Sequence, residues 1–88
     1  MAWTVQYSKL AERQLSKLSR EIEARIRSYM DDRVANRELP QAIAKKLSGP
    51  YEDRVRYRVG DYRVVCQIQD HLLLILVIEV GHRREVYR

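Results

Sequence analysis

A run of alternating arginines that leads into a tight turn constrains the fold of this chain more than any other feature. The segment Arg54–Val59 alternates arginine with an apolar residue, which is the period of a β-strand and puts its three arginines on one face. Gly60-Asp61 is a favoured two-residue hairpin loop. Such a loop pairs Arg58 with Arg63, so Arg63 joins the same face. Like charges placed opposite each other destabilise a sheet, and four arginines on one face therefore indicate a polyanion there.

Length and charge indicate one small basic domain that covers residues 1–88. The net charge of +5 and a pI near 9.7 favour an acidic partner, most often nucleic acid. Cys66 is the one cysteine of the chain, so no disulfide can form within it, which is typical of a reducing compartment. Because Cys66 lies on the apolar face of its segment, we predict a buried structural thiol rather than a nucleophile.

The distribution of apolar residues predicts a cytosolic protein. The first residues of the chain, Met1–Tyr7, lack the basic and apolar regions of a signal peptide. The longest apolar run, Leu72–Ile78, has 7 residues, which is far too short to span a bilayer. The same run is typical of a strand that is buried on both faces, so we predict a central strand there.

Helical periodicity dominates the first half of the chain. Apolar residues recur at steps of three and four, as in an amphipathic helix, at Ala11, Leu15, Leu18, Ile22 and Ile26. Ser8 is a suitable N-cap, and Ser19 followed by Glu21 suits the start of a second helix. The pattern predicts helices near 8–18 and 20–35, packed as a hairpin. Pro40 predicts a third, short helical stretch near 40–47.

The second half of the chain reads as strands. The predicted strands cover about 52–59, 62–69 and 72–80, with hairpin turns at Gly60-Asp61 and Asp70-His71, and a short first strand covers Trp3–Tyr7. The predicted fold class is α+β. A small, mainly antiparallel sheet of about four strands carries the N-terminal helical hairpin on one face. The arginines are expected on the opposite face.

A concentration of arginine in the second half predicts a phosphate-binding surface. From residue 54 onward seven arginines stand against four acidic residues, a net charge of +3, and there is no lysine. Guanidinium groups suit phosphates, and an aromatic such as Tyr87 can stack on an unpaired base. The alternatives are a solvated sheet face, a frayed Arg83-Arg84 terminus, Tyr87 packed on the core edge and a surface role for His82. Neither a zinc-ligand spacing nor a glycine-rich phosphate loop is present.

These residues resemble the RelE branch of the RelE/ParE toxins of bacterial toxin–antitoxin systems over nearly the whole chain. The matching segments, in order, are Trp3–Tyr7, the helical hairpin, Lys46-Leu47-Ser48-Gly49, Arg54–Arg58, Asp61–Gln67 and Val80–Tyr87. The resemblance implies a small α+β toxin that cuts mRNA in the ribosomal A site without metal or other cofactor. In that reaction the 2′-hydroxyl of the substrate attacks the adjacent phosphate and gives a 2′,3′-cyclic phosphate and a 5′-hydroxyl.

The resemblance also implies roles for individual residues. The family's catalytic positions fall on Arg54, Arg56, Arg63, Arg83 and Tyr87. By this likeness Arg56, Arg63 and Arg83 hold the phosphate and stabilise its transition state, and Tyr87 stacks on or orients a base. The remaining arginines of this half are expected to contact substrate: Arg58, Arg84 and Arg88.

The proton acceptor is the point at which the chain departs from its relatives. The best-known members have lysines where this chain has Arg54 and Arg56, and one of those lysines is a candidate general base. Arginine holds its proton too strongly to act as a base near neutral pH. His82 is therefore a candidate acceptor, because its unperturbed pKa is near neutrality. Tyr87 and Glu52 are weaker candidates, and electrostatic activation by the arginines without a true base is a further alternative.

The resemblance implies a set of partners as well. A cognate antitoxin is expected, along with the ribosomal A site and its mRNA, and operator DNA is expected to bind the toxin–antitoxin complex. Two other functions stay open from the sequence. One is a ParE-like toxin that poisons DNA gyrase and cuts nothing, and the other is a member that only binds nucleic acid.

Overall fold

The computed structural model describes residues 3–47 and 54–86, and it confirms the predicted α+β class. The elements are β1 (Thr4–Tyr7), α1 (Lys9–Ser16), α2 (Arg20–Ser28), β2 (Lys45–Lys46), β3 (Arg54–Val59), β4 (Tyr62–Gln69), β5 (Leu74–His82) and α3 (Arg83–Val86). A π-helical segment at Tyr29–Val34 extends α2, and 3₁₀ turns cover Pro40–Ile43 and Asp70–Leu72. Over the described ranges, no helix has the length and apolar character that crossing a membrane requires.

The five strands form one sheet in the order β1-β5-β4-β3-β2. β1 runs parallel to β5, whereas the other three neighbouring pairs are antiparallel. The predicted two-residue turn is confirmed, because Gly60 adopts a φ of 60° and the strands on either side of it pair without a gap. This φ lies in the left-handed region that glycine tolerates best. In this strand order β4 lies at the centre of the sheet, between its hairpin partner β3 and the long strand β5.

Both predicted helices begin at serine N-caps. The hydroxyl of Ser8 accepts a hydrogen bond from the amide of Ala11 at 3.0 Å, and that of Ser19 accepts one from Ile22 at 3.2 Å. Each bond satisfies an amide that the first turn of a helix leaves without an intrahelical partner. The break between the helices therefore falls at Ser19, as the sequence predicted.

A β-bulge in β5 anchors α1 to the sheet. The pairing of β4 with β5 shifts between Val65 and Cys66, so that Ile78 is the extra residue. A bulge leaves backbone groups unpaired, and two side chains from the start of the chain bond backbone groups at this bulge and two residues after it. The hydroxyl of Ser8 donates to the carbonyl of Ile78 at 2.7 Å, and the amide of Val80 donates to Oε1 of Gln14 at 2.6 Å.

The hydrophobic core lies between the helices and one face of the sheet. Its fully buried members from the helical layer include Leu15, Ile26 and Met30, and those from the sheet include Tyr57, Val64, Cys66, Ile75 and Val77. A salt bridge from Arg27 to Glu12 at 2.6 Å joins the two helices over this core. The other face of the sheet therefore stays outside the helical layer.

The predicted third helix near 40–47 is wrong in its second half. The 3₁₀ turn ends at Ile43, and Lys45–Lys46 instead pair with β3 as a fifth, two-residue strand. Pro40 starts the turn as expected, since proline fits a first helical position. Two lysines carry no apolar alternation, so the strand is formed by the neighbouring edge of β3 rather than by its own sequence.

The apolar run Leu72–Ile78 was predicted as a strand buried on both faces, and this is wrong in two respects. The chain makes a 3₁₀ turn at Asp70–Leu72 in place of a two-residue hairpin, and Leu73 has a positive φ of 50°. Leu72 and Leu73 are exposed, and β5 begins only at Leu74. Within β5 one face is buried and the other is half-buried, because the helices cover only one side of the sheet.

The buried thiol of Cys66 predicts a dependence of stability on pH. Cys66 is fully buried, and burial raises the pKa of its thiol above the ordinary value of 9.0. Burial likewise raises the pKa of the Tyr57 hydroxyl above 10.0. The folded chain keeps these protons while the unfolded chain releases them, so stability is lost as the pH rises through the unfolded pKa values. We expect the free energy of unfolding to fall by about 1.4 kcal/mol per pH unit for each such group.

Urea titrations between about pH 7 and about pH 10.5 would measure this decline. Cys66→Ala should remove the part that begins near pH 9, the ordinary thiol pKa, and leave the later part that comes from tyrosine. Equal slopes in the wild type and the variant above pH 9 would show that the thiol ionises freely in the folded chain.

Candidate functional site

The register of the hairpin confirms that four arginines share one face of the sheet. Arg58 lies directly opposite Arg63, as predicted, and Arg54 and Arg56 follow at alternate positions of β3. We call these four residues the arginine face. The residues between them, including Tyr57, point into the core and are buried. The arginine face is therefore on the side of the sheet away from the helices.

Arg63 is the most restrained member of the arginine face. It is 6% exposed, the one charged residue among the buried residues that the structure describes. Its Nη1 donates to the carbonyl of Tyr62 at 3.2 Å and lies 3.5 Å from that of Gly60. A guanidinium held in this way by its own turn loses little conformational freedom when it binds a phosphate.

The short helix α3 brings Arg83 to the same end of the sheet. The amide of Arg83 donates to the carbonyl of Asp61 in the β3–β4 turn at 2.9 Å. Gly81, two residues earlier, pairs with Arg63. Arg83 and Arg84 are both exposed. The structure thus places Arg58, Arg63 and Arg83 around one turn, although they are up to 25 residues apart in the chain.

His82 lies on the face of the sheet opposite the arginine face. It pairs with Tyr62, and their rings meet edge to face with centroids 5.6 Å apart. Its Nδ1 accepts a hydrogen bond from the amide of Arg84 at 3.3 Å. Because cross-strand partners share a face, His82 is on the same side as Tyr62 and not on that of Arg63. The structure does not bring this predicted proton acceptor together with the arginines.

Two further charged residues on the same side of the sheet as the arginine face were missed from the sequence. Lys45 pairs with Arg56 and adds a fifth cation, and Glu79 lies across from Val65 in the same row of the sheet. Lys45 could not be found because its strand carries no pattern. Glu79 was hidden because it was assigned to the end of a predicted central strand. The face is therefore basic, with one half-buried carboxylate on β5.

Some predicted site residues lie outside the described ranges. These are Glu52, Tyr87 and Arg88. Over the ranges 3–47 and 54–86, no group of three or more histidine, cysteine, aspartate or glutamate residues could hold a metal ion.

The arrangement suits the binding of a phosphate ester at the β3–β4 turn. Guanidinium groups present planar pairs of donors and stay charged at any physiological pH. Arg58 and Arg63 face each other across the hairpin, where like charges repel. An anion between them relieves that repulsion, and extra negative charge that develops on a phosphate is stabilised further. The fold and this face together define a small α+β domain with a basic sheet face.

Comparisons with known proteins identify the family of this domain. The family model for the ParE toxin of the type II toxin–antitoxin system parDE matches residues 5–87. Toxin RelG of Mycobacterium tuberculosis is 27% identical over 88 residues, which are all of this chain and 99% of the relative. The chain therefore belongs to the RelE/ParE superfamily of type II toxin–antitoxin toxins.

Solved structures give the same fold. The toxin–antitoxin complex RelBE2 of Mycobacterium tuberculosis matches with a TM-score of 0.86 and 25% identity, over 97% of this chain and 95% of the matched chain. The isolated RelE toxin of E. coli matches with a TM-score of 0.73 and 22% identity, over 98% and 92% of the two chains. At the latter identity the likeness supports the fold alone.

Proposed function

We propose that this protein is a ribosome-dependent mRNA endonuclease that acts as the toxin of a type II toxin–antitoxin system. The 2′-hydroxyl of an A-site nucleotide would attack the adjacent phosphorus, and the bond to the 5′-oxygen of the next nucleotide would break. The products are a 2′,3′-cyclic phosphate and a 5′-hydroxyl. The proton of the 2′-hydroxyl leaves, and one is delivered to the 5′-oxygen, so no water, metal or cofactor is consumed.

The observation that supports this proposal is that the fold brings the backbones of Arg58, Arg63 and Arg83 to the β3–β4 turn. Arg63 is fixed by the turn carbonyls and is proposed to hold the non-bridging oxygens of the scissile phosphate. Arg56 and Arg83 are proposed to add charge as the pentacovalent transition state forms. Our proposal does not use His82 for proton transfer, because it lies on the face of the sheet opposite the arginine face.

Mapping of RNA 5′ ends tests the proposal directly. mRNA is incubated with programmed ribosomes and this protein, beside a reaction without ribosomes and one with an Arg63→Lys variant. We expect cuts within A-site codons only when ribosomes and the wild-type protein are both present. Intact mRNA, under conditions in which the same preparation arrests growth, would rule out the nuclease.

Inhibition of DNA gyrase is a second candidate function. The match to the family model for the ParE toxin favours it. The fold does not decide between the two functions, because both branches share it. Under this alternative the arginine face is a docking surface rather than a catalytic one. A supercoiling assay with purified gyrase, run on the preparation used for end mapping, distinguishes the two functions.

We further propose that one domain carries this activity and that a cognate antitoxin neutralises it. The solved relatives include toxin–antitoxin complexes, such as RelBE2, which supports an antitoxin partner here. The proposed activity requires ribosomes and so would take place in the cytoplasm. Binding of operator DNA is assigned to the toxin–antitoxin complex rather than to the toxin alone.

A further inference from the structure

A basic groove lies between α2 and the β3–β4 turn, on the helical side of the sheet. Its volume is about 430 Å³, and it is lined by Arg25, Ser28, Tyr29, Asp32, Arg33, Arg58, Val59 and Gly60. The α2 residues recur every three to four positions along the helix and its π-helical extension, so they form one stripe. The three arginines and the single aspartate give the lining a net charge of +2. The function proposed above uses only Arg58 of this set.

The arginines of the groove differ in their ion pairing from Arg27, which lies on α2. Arg27 is paired with Glu12 at 2.6 Å and with Glu23 at 3.0 Å. Across the ranges that the structure describes, Arg25, Arg33 and Arg58 have neither a salt bridge nor a side-chain hydrogen bond. These three exposed guanidinium groups around one concave surface repel one another, and an anion in the groove reduces that repulsion.

Arg25 is positioned against the β3–β4 turn. A Cβ atom built on Gly60 would meet Nη1 of Arg25 at 3.4 Å and its Cζ at 3.5 Å. The guanidinium of Arg25 thus lies close to the backbone of the turn, although the residue as a whole is exposed. Arg25 and Arg58 both line the groove beside this turn.

Arg58 joins the groove to the arginine face. By register it lies on the arginine face opposite Arg63, and the same residue is also part of the lining of the groove. β2 pairs with β3 only at Val55 and Arg56, so within the described residues no strand covers the outer edge of β3 at Arg58. A polyanionic chain that crosses the arginine face can therefore pass over this open edge and enter the groove.

We infer that the groove binds phosphates of the RNA strand that crosses the arginine face, outside the nucleotide that is cut. This inference rests on the proposed function in taking RNA as the polyanion. Five of its eight lining residues are charged or polar, and Tyr29 and Val59 are its apolar side chains. A peptide that docks through apolar anchors finds few contacts there, whereas successive phosphates of a single strand match arginines spread along a helix.

Binding of an RNA that cannot be cut tests the groove. The probe is a fluorescein-labelled, fully 2′-O-methylated oligouridine of roughly a dozen nucleotides, the upper range for a small single-strand site. Fluorescence anisotropy gives the Kd at several salt concentrations for the wild type, for an Arg25→Gln/Arg33→Gln double variant and for Arg13→Gln. Arg13 is an exposed arginine of α1 that lies outside the groove, so its variant controls for the loss of charge alone.

We expect the double variant to bind the RNA roughly tenfold more weakly at low salt, and the slope of log Kd against log salt to fall by about 0.7 for each arginine removed. Arg13→Gln should change both quantities little. Equal effects of the double variant and Arg13→Gln, corrected for the number of charges, would overturn the inference. So would a double variant that keeps its RNA affinity and loses affinity for the antitoxin, since the groove would then be a protein contact.

The probe separates this inference from the proposed function. Because a 2′-O-methylated RNA cannot be cut, its binding does not depend on whether the protein is a nuclease. Absence of A-site cuts together with groove-dependent RNA binding would reject the proposed function and keep the groove. A-site cuts by the wild type together with unchanged RNA binding by the double variant would support the proposed function and reject the groove as an RNA site. Circular dichroism of the variants confirms that each is folded.

Discussion

Arg63→Lys should lower the single-turnover rate of A-site cleavage by roughly 10²–10³, the loss found when one pre-organised donor to a developing charge is removed. Arg63 is buried and its guanidinium is tied to the carbonyl of Tyr62 at 3.2 Å. A lysine keeps the charge but replaces a planar fork with a point charge on a flexible stem. It therefore cannot bond the turn carbonyl and present a planar pair of donors to one phosphate at the same time.

The conservative variant matters because Arg63 is part of the folded structure. Removal of a buried, hydrogen-bonded side chain can destabilise the hairpin, so Arg63→Ala alone does not separate chemistry from folding. Arg13→Lys, on the exposed surface of α1, controls for an arginine-to-lysine change elsewhere. If Arg63→Lys is folded, binds antitoxin and cleaves at the wild-type rate, the phosphate is not held by this guanidinium.

The arginine face is the part of the site that the sequence alone could predict. Strand alternation fixes which side chains share a face, and a two-residue loop fixes the register. Together they predicted Arg58 opposite Arg63, and the structure confirms it. No long-range information is needed, because the whole hairpin is encoded within ten consecutive residues.

The side of the sheet on which His82 lies depended on information that the sequence does not contain. Its position follows from the pairing of β4 with β5, which starts at Tyr62 opposite His82 and is interrupted by a bulge at Ile78. A bulge shifts the alternation on one side of itself only. From the sequence, therefore, neither the face of His82 nor the place of Glu79 beside the arginines could be fixed.

The groove was likewise beyond the reach of local patterns. Arg25 and Arg33 lie about 25–33 residues before Arg58 in the chain, and in the sequence they belong to the polar face of an ordinary amphipathic helix. Only the packing of α2 beside the β3–β4 turn brings them together. The apolar character of Leu72 led to a wrong prediction of burial. Leu72 is 59% exposed, because apolar residues are also common on protein surfaces.

Tyr57→Ala should lower the free energy of unfolding by about 3–5 kcal/mol, the usual cost of deleting a buried aromatic ring. Tyr57 is fully buried on β3, and its ring meets that of Tyr29 edge to face at 6.4 Å. Its hydroxyl donates to the carbonyl of Pro40 at 2.8 Å, which ties the sheet to the turn that precedes β2. A small domain has only about 5–15 kcal/mol in total, so this variant should be partly unfolded at 37 °C.

Tyr57→Phe separates the ring from the hydroxyl. It keeps the packing but leaves the buried carbonyl of Pro40 without its partner, and it should lower the free energy of unfolding by about 1–3 kcal/mol. The matched control is Tyr62→Phe, because in the part of the chain that the structure describes the Tyr62 hydroxyl has no hydrogen bond. Urea titrations followed by circular dichroism measure all three variants.

Tyr57 also affects the arginine face, because it lies between Arg56 and Arg58 on the strand that carries three of its four residues. Its anchoring in the core fixes which way its two neighbours point. Tyr57→Phe should therefore cleave at close to the wild-type rate wherever it is folded. Equal stabilities of Tyr57→Phe and Tyr62→Phe would show that the bond to Pro40 contributes nothing. β3 would then be held by its ring packing and its strand pairing alone.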